Sequence, residues 1–332
     1  MSPPQTAPGR SQSRTTDGIA LAFPHIGATQ RRSDMADPST PKPLDGRRLT
    51  PERWLHGLRA RGARFADRHG RIGRATYEFV VFGVKQGWAC LFGGLMCAGL
   101  IGSHLFYPEE SALARYDFLV LYAVAIQAAM LVFRLESVAE AKIILVYHIV
   151  GTVMEVFKTH MGSWIYPEPS ILRLGGVPLF SGFMYAAVGS YIARVWRLFD
   201  FRFAAYPPQA LTMALAGAIY ANFFGHHYLP DMRVLLFGMA GVLFWRTSVL
   251  FRIDRVHRSM PLLLGFLLVA VFIWFAENIG TYARAWVYPD QEDGWRMVSI
   301  AKLGSWYLLM MLSFVLVSLI NPVRGPGQIG DS

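Results

Sequence analysis

Cysteine is scarce in this sequence, and the two that occur are not placed to pair. Cys90 and Cys97 lie seven residues apart in one apolar run, so on a single helix their side chains are too far apart for a disulfide. Several enzyme signatures are also missing: the chain has no Walker loop, no dinucleotide-binding glycine fingerprint, no cysteine-rich zinc spacing and no aspartate-rich magnesium motif. These absences argue against a disulfide framework and leave any cofactor unknown.

Charged residues are few, at 16% of 332 residues, whereas hydrophobic residues make up 53% and aromatic residues 14%. With a mean hydropathy of +0.32, this composition lies outside the usual range of soluble globular proteins. The net charge of +10 comes mainly from residues 1–77, which hold fourteen Arg and Lys against six Asp and Glu. Such residues before a first span keep a terminus in the cytoplasm and can contact anionic lipid. The sequence therefore predicts an integral membrane protein that contacts membrane lipid and not nucleic acid.

Residues 1–76 are predicted to form a disordered, basic cytoplasmic extension. The segment up to about Leu49 is rich in Pro, Ser, Thr, Gly and Arg and shows no apolar periodicity. No signal peptide is expected, and either Met1 or Met35 could be the start. Thr50 and Pro51 can begin an Arg-rich helix that lies on the cytoplasmic leaflet.

Residues 77–322 alternate apolar runs of about 18 to 23 residues with short polar links, the length a helix needs to cross a bilayer. We predict an all-α, polytopic membrane helix bundle with eight transmembrane helices, in two four-helix halves at 77–200 and 201–322, and a C-terminal tail at 323–332. The expected spans are Phe82–Leu105, Tyr116–Phe133, Ala141–Lys158, Val177–Val195, Gln209–Phe224, Val234–Phe251, Met260–Ile279 and Val298–Ile320.

The charges in the links predict the orientation. Arginines follow the fourth and sixth runs, whereas acidic residues follow the first, third, fifth and seventh. By the positive-inside rule, both termini are expected in the cytoplasm.

One motif occurs twice: a glutamate is followed by Trp after nine residues, Tyr after eleven and Pro after twelve. The copies are Glu155, Trp164, Tyr166 and Pro167, and Glu277, Trp286, Tyr288 and Pro289. We interpret them as an internal repeat of two parallel halves related by an axis along the membrane normal, with both loops on the outside. The alternative is coincidence, since Trp and Tyr are enriched at membrane interfaces in any case.

A carboxylate within an apolar run is expensive and is typical of a functional site. Glu155 shares a helix face with Thr152 and His148, whereas Glu277 has Asn278 beside it and an alanine where His148 would be. We therefore predict Glu155, Glu277 and His148 as catalytic residues. The alternative is that each glutamate is half-solvated or paired, with a structural role.

The predicted substrate-binding residues are mainly the aromatic residues of both loops. They are Trp164, Tyr166, Trp286, Tyr288, Asn278 and Lys302. Lys302 could meet Glu277 across two helices or could extend towards the outer interface.

Other polar residues have simpler interpretations. Lys158 could pair with Glu155 across one helical turn. His226, His227 and Asp231 have the residue types of metal ligands, although adjacent histidines at a helix end more often anchor the helix, so no metal is predicted.

Gly83, Gly87 and Gly94 are predicted to permit close helix packing.

Several segments carry a family resemblance, including VGTVMEVFKTHMGSWIYPEPS, NFFGHHYLPD and AKLGSWYLLM. They resemble the bacterial integral-membrane family known as domain of unknown function 817, from about Tyr77 to Asn321, which implies a bacterial cytoplasmic (inner) membrane location. A glutamate-bearing helix, an aromatic loop and then Gly-Val-Pro-Leu are more distantly similar to membrane carotenoid cyclases and hydratases. Those cyclases keep an acidic residue shortly after the proline, whereas residues 176–182 here contain none.

Two functions are consistent with the sequence. One is an enzyme in which Glu155 or Glu277 protonates a double bond of an isoprenoid or carotenoid-like lipid, while aromatic faces stabilise the carbocation. The other is a proton-coupled transporter or lipid-handling protein without catalysis, in which two parallel halves move about a site that contains both glutamates. The sequence leaves the substrate and the oligomeric state open.

Overall fold

A computed structural model describes residues 70–326 and, before them, residues 62, 64, 66 and 68. The predicted disordered extension up to residue 61, most of the predicted surface helix and residues 327–332 lie outside the described residues.

Helices dominate the described chain, which contains nine α-helices of twelve to twenty-three residues. In chain order they are α1 Gly70–Ala89, α2 Leu91–Phe106, α3 Arg115–Val132, α4 Val138–His160, α5 Phe180–Leu198, α6 Gln209–Gly225, α7 Arg233–Phe244, α8 Leu262–Tyr282 and α9 Ala301–Ile320.

Three helices, α3, α8 and α9, are long and apolar enough to cross a membrane, which indicates a membrane protein. Counting α1 and α2 as one broken span gives a fourth. Helix α4 is long enough but carries four charged residues, and α5 contains Arg194 and Arg197. The eight-span arrangement in two repeats therefore stays a prediction.

The first predicted span is interrupted. Helices α1 and α2 meet at Cys90 with a bend of 66°, so the apolar run from Phe82 to Leu105 is two helices and not one. A continuous apolar run contains no signal for such a break, because neither proline nor a polar cluster marks it.

The sixth predicted span is wrong in its second half. Helix α7 ends at Phe244 after twelve residues, about 18 Å, which is shorter than the hydrocarbon core of a bilayer. The following residues form strand β4, Ser248–Arg252, which pairs with β5, His257–Pro261, and with β3, Arg202–Ala204.

A second pair of strands, β1 Arg173–Leu174 and β2 Val177–Pro178, precedes α5. The prediction of an all-α chain is therefore wrong in detail, since two small antiparallel sheets accompany the helices.

Helices α4 and α5 pack closely because glycines leave room for aromatic rings. A Cβ atom at Gly151 would lie 2.7 Å from Tyr185, and one at Gly189 would lie 2.7 Å from Tyr147. At the start of α4, Ser137 and Glu140 form a capping box. This packing fixes the face of α4 that carries the first predicted glutamate against α5.

Candidate active site

Glu155 is buried near the end of α4, with 4% of its surface exposed. The Trp164 indole donates to its Oε2 atom at 2.7 Å, the Tyr166 hydroxyl donates to the same oxygen, and the Tyr185 hydroxyl donates to Oε1 at 2.6 Å. Three neutral donors therefore surround one carboxyl group. Among the described residues it forms no ion pair, so the predicted pairing with Lys158 is not observed.

Glu277 has the same arrangement near the end of α8, with 5% exposure. The Trp286 indole donates to Oε1 at 3.1 Å, and the Tyr288 hydroxyl donates to the same oxygen. This glutamate thus has two donors where Glu155 has three. Its own described contacts likewise include no ion pair.

The return of each loop onto its own glutamate depends on a left-handed residue after the helix. Gly162 has a φ of 67°, and Arg284, which is equally far from its glutamate, has a φ of 50°. A positive φ reverses the chain direction and is readily adopted only by glycine. The motif therefore has the same local structure in both copies, although an arginine occupies the left-handed position in the second.

The two loops bind each other through equivalent residues. The Ile165 and Val287 backbones form an antiparallel bridge in which each N–H donates to the other carbonyl at 2.9 Å. Reciprocal pairing of equivalent positions gives the loops a local twofold relation. Both loops consequently lie at the same end of the protein.

Arg115, the first residue of α3, joins these loops a second time. Its guanidinium pairs with Glu168 of the first loop in a bidentate contact of 2.6 and 2.8 Å. The same group donates to the carbonyls of Ala283 and Arg284, where the second loop begins. One buried cation therefore holds both loops.

The loop tyrosines stay protonated and available as donors. Burial raises the pKa of Tyr166 well above its usual value, and the neighbouring Glu155 charge raises it further. Burial and Glu277 act in the same way on the pKa of Tyr288. Each hydroxyl therefore keeps its proton over the physiological pH range.

Both glutamates line one long cavity of about 1130 Å³. The cavity follows α8 from Gly265 to Ile279, a length of about 20 Å at 1.5 Å per residue, and most of its wall is apolar. Its volume is slightly above the usual range for small-molecule sites. Lysine, arginine and histidine side chains line the end near the glutamates, namely Lys158, Arg233, Lys302 and His226.

The glycines of α1 and α2 make room for this cavity. Gly83, Gly87 and Gly94 line it, and a Cβ atom built at any of them would meet no atom within 4 Å. The prediction that they permit close helix packing is therefore wrong. Cys90 and Cys97 line the same wall.

Three of the predicted binding residues meet at the junction of the loops. Trp164 and Tyr288, one from each loop, pack edge to face with ring centroids 6.0 Å apart. The Lys302 ammonium lies 4.1 Å from the Tyr288 ring centre and 5.6 Å from that of Trp164. Tyr166 and Trp286 also line the cavity, so the structure brings most of the predicted set together.

Two predicted residues lie away from this junction. The Asn278 amide donates to the Trp274 carbonyl and accepts from Val298, so it anchors the segment before α9. His148 packs against Phe183, and its Nδ1 atom has no hydrogen-bond partner among the described residues. Neither side chain contacts a glutamate, and their predicted roles stay predictions.

The weak metal candidates have other partners. His226 and His227 lie 3.2 and 2.9 Å from the Lys158 ammonium, and Asp231 pairs with Arg233 at 2.5 Å. Within the part of the chain that the structure describes, no three His, Cys, Asp or Glu side chains are grouped to hold a metal ion.

Sequence reasoning missed Tyr185 and Arg233 as residues of the site. Beyond the loops the two copies match more loosely, with Ser181 and Met184 aligned to Ser305 and Leu308. In that alignment Leu309 takes the place of Tyr185. A comparison of the two copies at this position could have shown that only the first has a third donor.

Together the fold and the site define a helical protein of membrane character. Its two buried glutamates accept hydrogen bonds from uncharged side chains and line one largely apolar cavity. The chain belongs to the family described as "Protein of unknown function (DUF817)", which matches residues 78–314. It is also 41% identical over 251 residues to the "Uncharacterized protein YoaT" of Bacillus subtilis (strain 168), which covers 76% of this chain and 94% of that relative. No solved structure matches the chain. The more distant resemblance to carotenoid cyclases and hydratases stays a prediction.

Proposed function

We propose that the protein is a membrane enzyme that acts on an isoprenoid or carotenoid-like lipid by proton transfer from Glu155. The observation that carries the proposal is the set of three neutral donors around a buried carboxyl group in an apolar cavity. Desolvation disfavours the carboxylate in the resting state. Once the proton leaves, Trp164, Tyr166 and Tyr185 stabilise the anion, and because they are already in place, no reorganisation is needed.

The proposed step moves one proton and no other atom. The Glu155 proton adds to one carbon of a carbon-carbon double bond, and the π electrons of that bond form the new C–H bond. The neighbouring carbon becomes a carbocation, which aromatic faces lining the cavity can stabilise. Loss of a different proton to the carboxylate completes an isomerisation or cyclisation and restores the acid, so no redox cofactor is required.

The two glutamates have unequal roles in this proposal. Glu155 has three donors, and its loop residues Trp164 and Tyr166 are only half-buried. Glu277 has two donors, and both Trp286 and Tyr288 are buried. Because more donors are in place to stabilise its anion, we assign the proton transfer to Glu155, and Glu277 shapes the site.

We further propose eight membrane crossings in two parallel halves of the bacterial inner membrane, with both termini in the cytoplasm. In this proposal the bent pair α1 and α2 is the first crossing and the short helix α7 is the sixth. The placement of arginines and acidic residues in the links supports this orientation. The reciprocal pairing of Ile165 with Val287 supports two loops on one side.

The test compares total extracted lipids from cells that express the wild type, Glu155→Gln, Glu277→Gln or the exposed-loop control Glu109→Gln at matched protein amounts. We expect a new lipid species in the wild type and the control, its loss in Glu155→Gln and a smaller loss in Glu277→Gln. The same lipid change in Glu155→Gln as in the wild type would refute the acid mechanism. A changed distribution of lipid without any new species would instead support the transporter.

A further inference from the structure

Three cationic side chains converge on the cavity end that contains the glutamates. Lys158 lies in the last turn of α4, Arg233 is the first residue of α7, and Lys302 is the second residue of α9. All three line the cavity. Arg233 donates to Ser305, which lies one turn after Lys302 in α9, and Lys158 contacts His226 at the end of α6, the helix that precedes α7.

Among the described residues, Arg233 is the one member of this cationic cluster that pairs with a carboxylate. Its guanidinium pairs with Asp231 at 2.5 Å and also donates to Ser305 at 3.0 Å. Lys158 instead contacts His226 and His227 and lies 4.4 Å from the Phe223 ring centre.

Lys302 has aromatic neighbours but no acceptor. Among the described residues its ammonium forms no hydrogen bond or ion pair and contacts only the rings of Tyr288 and Trp164. Within the described chain, the hydrogen bonds that the nearby Glu277 carboxylate accepts come from Trp286 and Tyr288 and not from Lys302. The ammonium therefore keeps its capacity to bind an anion in the cavity.

The position of two of these cations in their helices strengthens this reasoning. The N-terminal end of a helix carries partial positive charge, so cations are favoured at the opposite end. Arg233 and Lys302 nevertheless occupy the first turns of α7 and α9, which contain no acidic residue. The Asp231 carboxylate accepts from the Arg233 N–H at 3.0 Å, whereas at α9 the Ala301 N–H donates only to the neutral Ser299 hydroxyl, at 3.2 Å. A bound anion would offset both the helix charge and the repulsion among the side chains.

We propose that the cationic cluster binds the phosphate-type head group of an amphiphile whose chain fills the apolar remainder of the cavity. The isoprenoid character of that chain rests on the proposed function, but the head-group site does not. Two lysines and an arginine match a phosphate group in charge and in donor number. The apolar part then lies along the cavity wall that contains Cys90, Gly94 and Cys97.

The two native cysteines allow a direct test, because they are the only ones in the sequence and both line the cavity. The purified full-length protein is treated with N-ethylmaleimide alone or with farnesyl monophosphate, farnesol or inorganic phosphate. We expect farnesyl monophosphate to slow labelling at a lower concentration than farnesol does. Inorganic phosphate alone should leave the labelling rate unchanged. Added together with farnesyl monophosphate, it should compete for the site and restore the labelling rate.

The variant Lys302→Gln separates the head group from the chain. It should raise the farnesyl monophosphate concentration for half-protection by at least about tenfold and leave farnesol protection unchanged, which also shows that the cavity is intact. Lys142→Gln, an exposed lysine at the other end of α4, should change neither value.

Equal protection by farnesyl monophosphate and farnesol, or an unchanged value in Lys302→Gln, would overturn the head-group site. Because the assay measures binding alone, it stays decisive even if Glu155→Gln leaves the cellular lipids unchanged.

Discussion

Substitution of Glu155 by two residues of similar size should separate its hydrogen-bonding role from its acidity. In Glu155→Gln, the amide oxygen can accept from Trp164 and Tyr166, while the amide nitrogen donates to Tyr185, whose hydroxyl can turn to accept. All three partners stay satisfied. In Glu155→Leu, all three are left without an acceptor in a buried site.

The structure sets the expected size of each effect. A buried donor without a partner costs about 1 to 3 kcal/mol, so Glu155→Leu should lower the free energy of unfolding by at least about 3 kcal/mol. Glu277→Leu leaves two donors unpaired and should cost at least about 2 kcal/mol by the same reasoning. Glu155→Gln should cost only about 1 kcal/mol, since each of the three partners keeps a hydrogen bond and only the Tyr185 proton loses its acceptor.

Thermal melting of the purified protein in one detergent, read out by size-exclusion chromatography after heating, orders the variants. The expected order of stability is wild type, Glu155→Gln, Glu277→Leu and then Glu155→Leu. Tyr185→Phe removes one donor, so in that background the additional cost of Glu155→Leu should shrink by one donor's contribution. A Glu155→Gln protein as unstable as Glu155→Leu would refute the hydrogen-bond assignment.

Three further predictions concern the left-handed turns of the loops, the orientation in the membrane and the protonation of His227. Arg284→Gly should raise the free energy of unfolding by about 1 kcal/mol and Gly162→Ala should lower it by a similar amount, because both positions are left-handed. A less stable Arg284→Gly protein or a more stable Gly162→Ala protein in the melting assay would contradict this. With both native cysteines replaced by serine, a cysteine at Ser163 should react with an impermeant reagent on intact cells and one at Ser259 should not, and the reverse labelling would invert the orientation. Burial, the Lys158 ammonium and His226 lower the pKa of His227. The stability that its neutral form contributes is therefore complete above its usual pKa of about 6.5 and is lost as the pH falls through the lowered pKa. Melting between pH 7.5 and 5 should show this loss, and His227→Gln should make the loss smaller.

The long apolar helices could be predicted from the sequence because their signal is local. The predicted Tyr116–Phe133 agrees with α3 to within one residue at each end. The same signal failed at the end of α7, where the predicted span was extended across Arg246, Thr247 and Ser248 into β4. A short apolar segment such as 249–251 does not distinguish a helix from a buried strand, and here pairing with β5 and β3 decides the outcome.

The site could be predicted in part, for a comparable reason. The spacing of nine and eleven residues identified each glutamate with its own Trp and Tyr. It did not indicate that both donors return onto the carboxyl group, because that requires the left-handed turn at Gly162 or Arg284. Tyr185 lies on another helix, so its contact with Glu155 depends on the packing of α4 against α5.

The contacts between the two loops restrict how the protein can move. Separation of the loops would break both backbone hydrogen bonds between Ile165 and Val287 and would part Arg115 either from Glu168 or from its two carbonyl acceptors. Since Arg115 and Val287 are buried and would lose partners there, this end resists opening. A substrate must then enter and leave through the helix walls or from the opposite end, so a cycle that exposes the cavity alternately at both ends would first have to disassemble the glutamate loops.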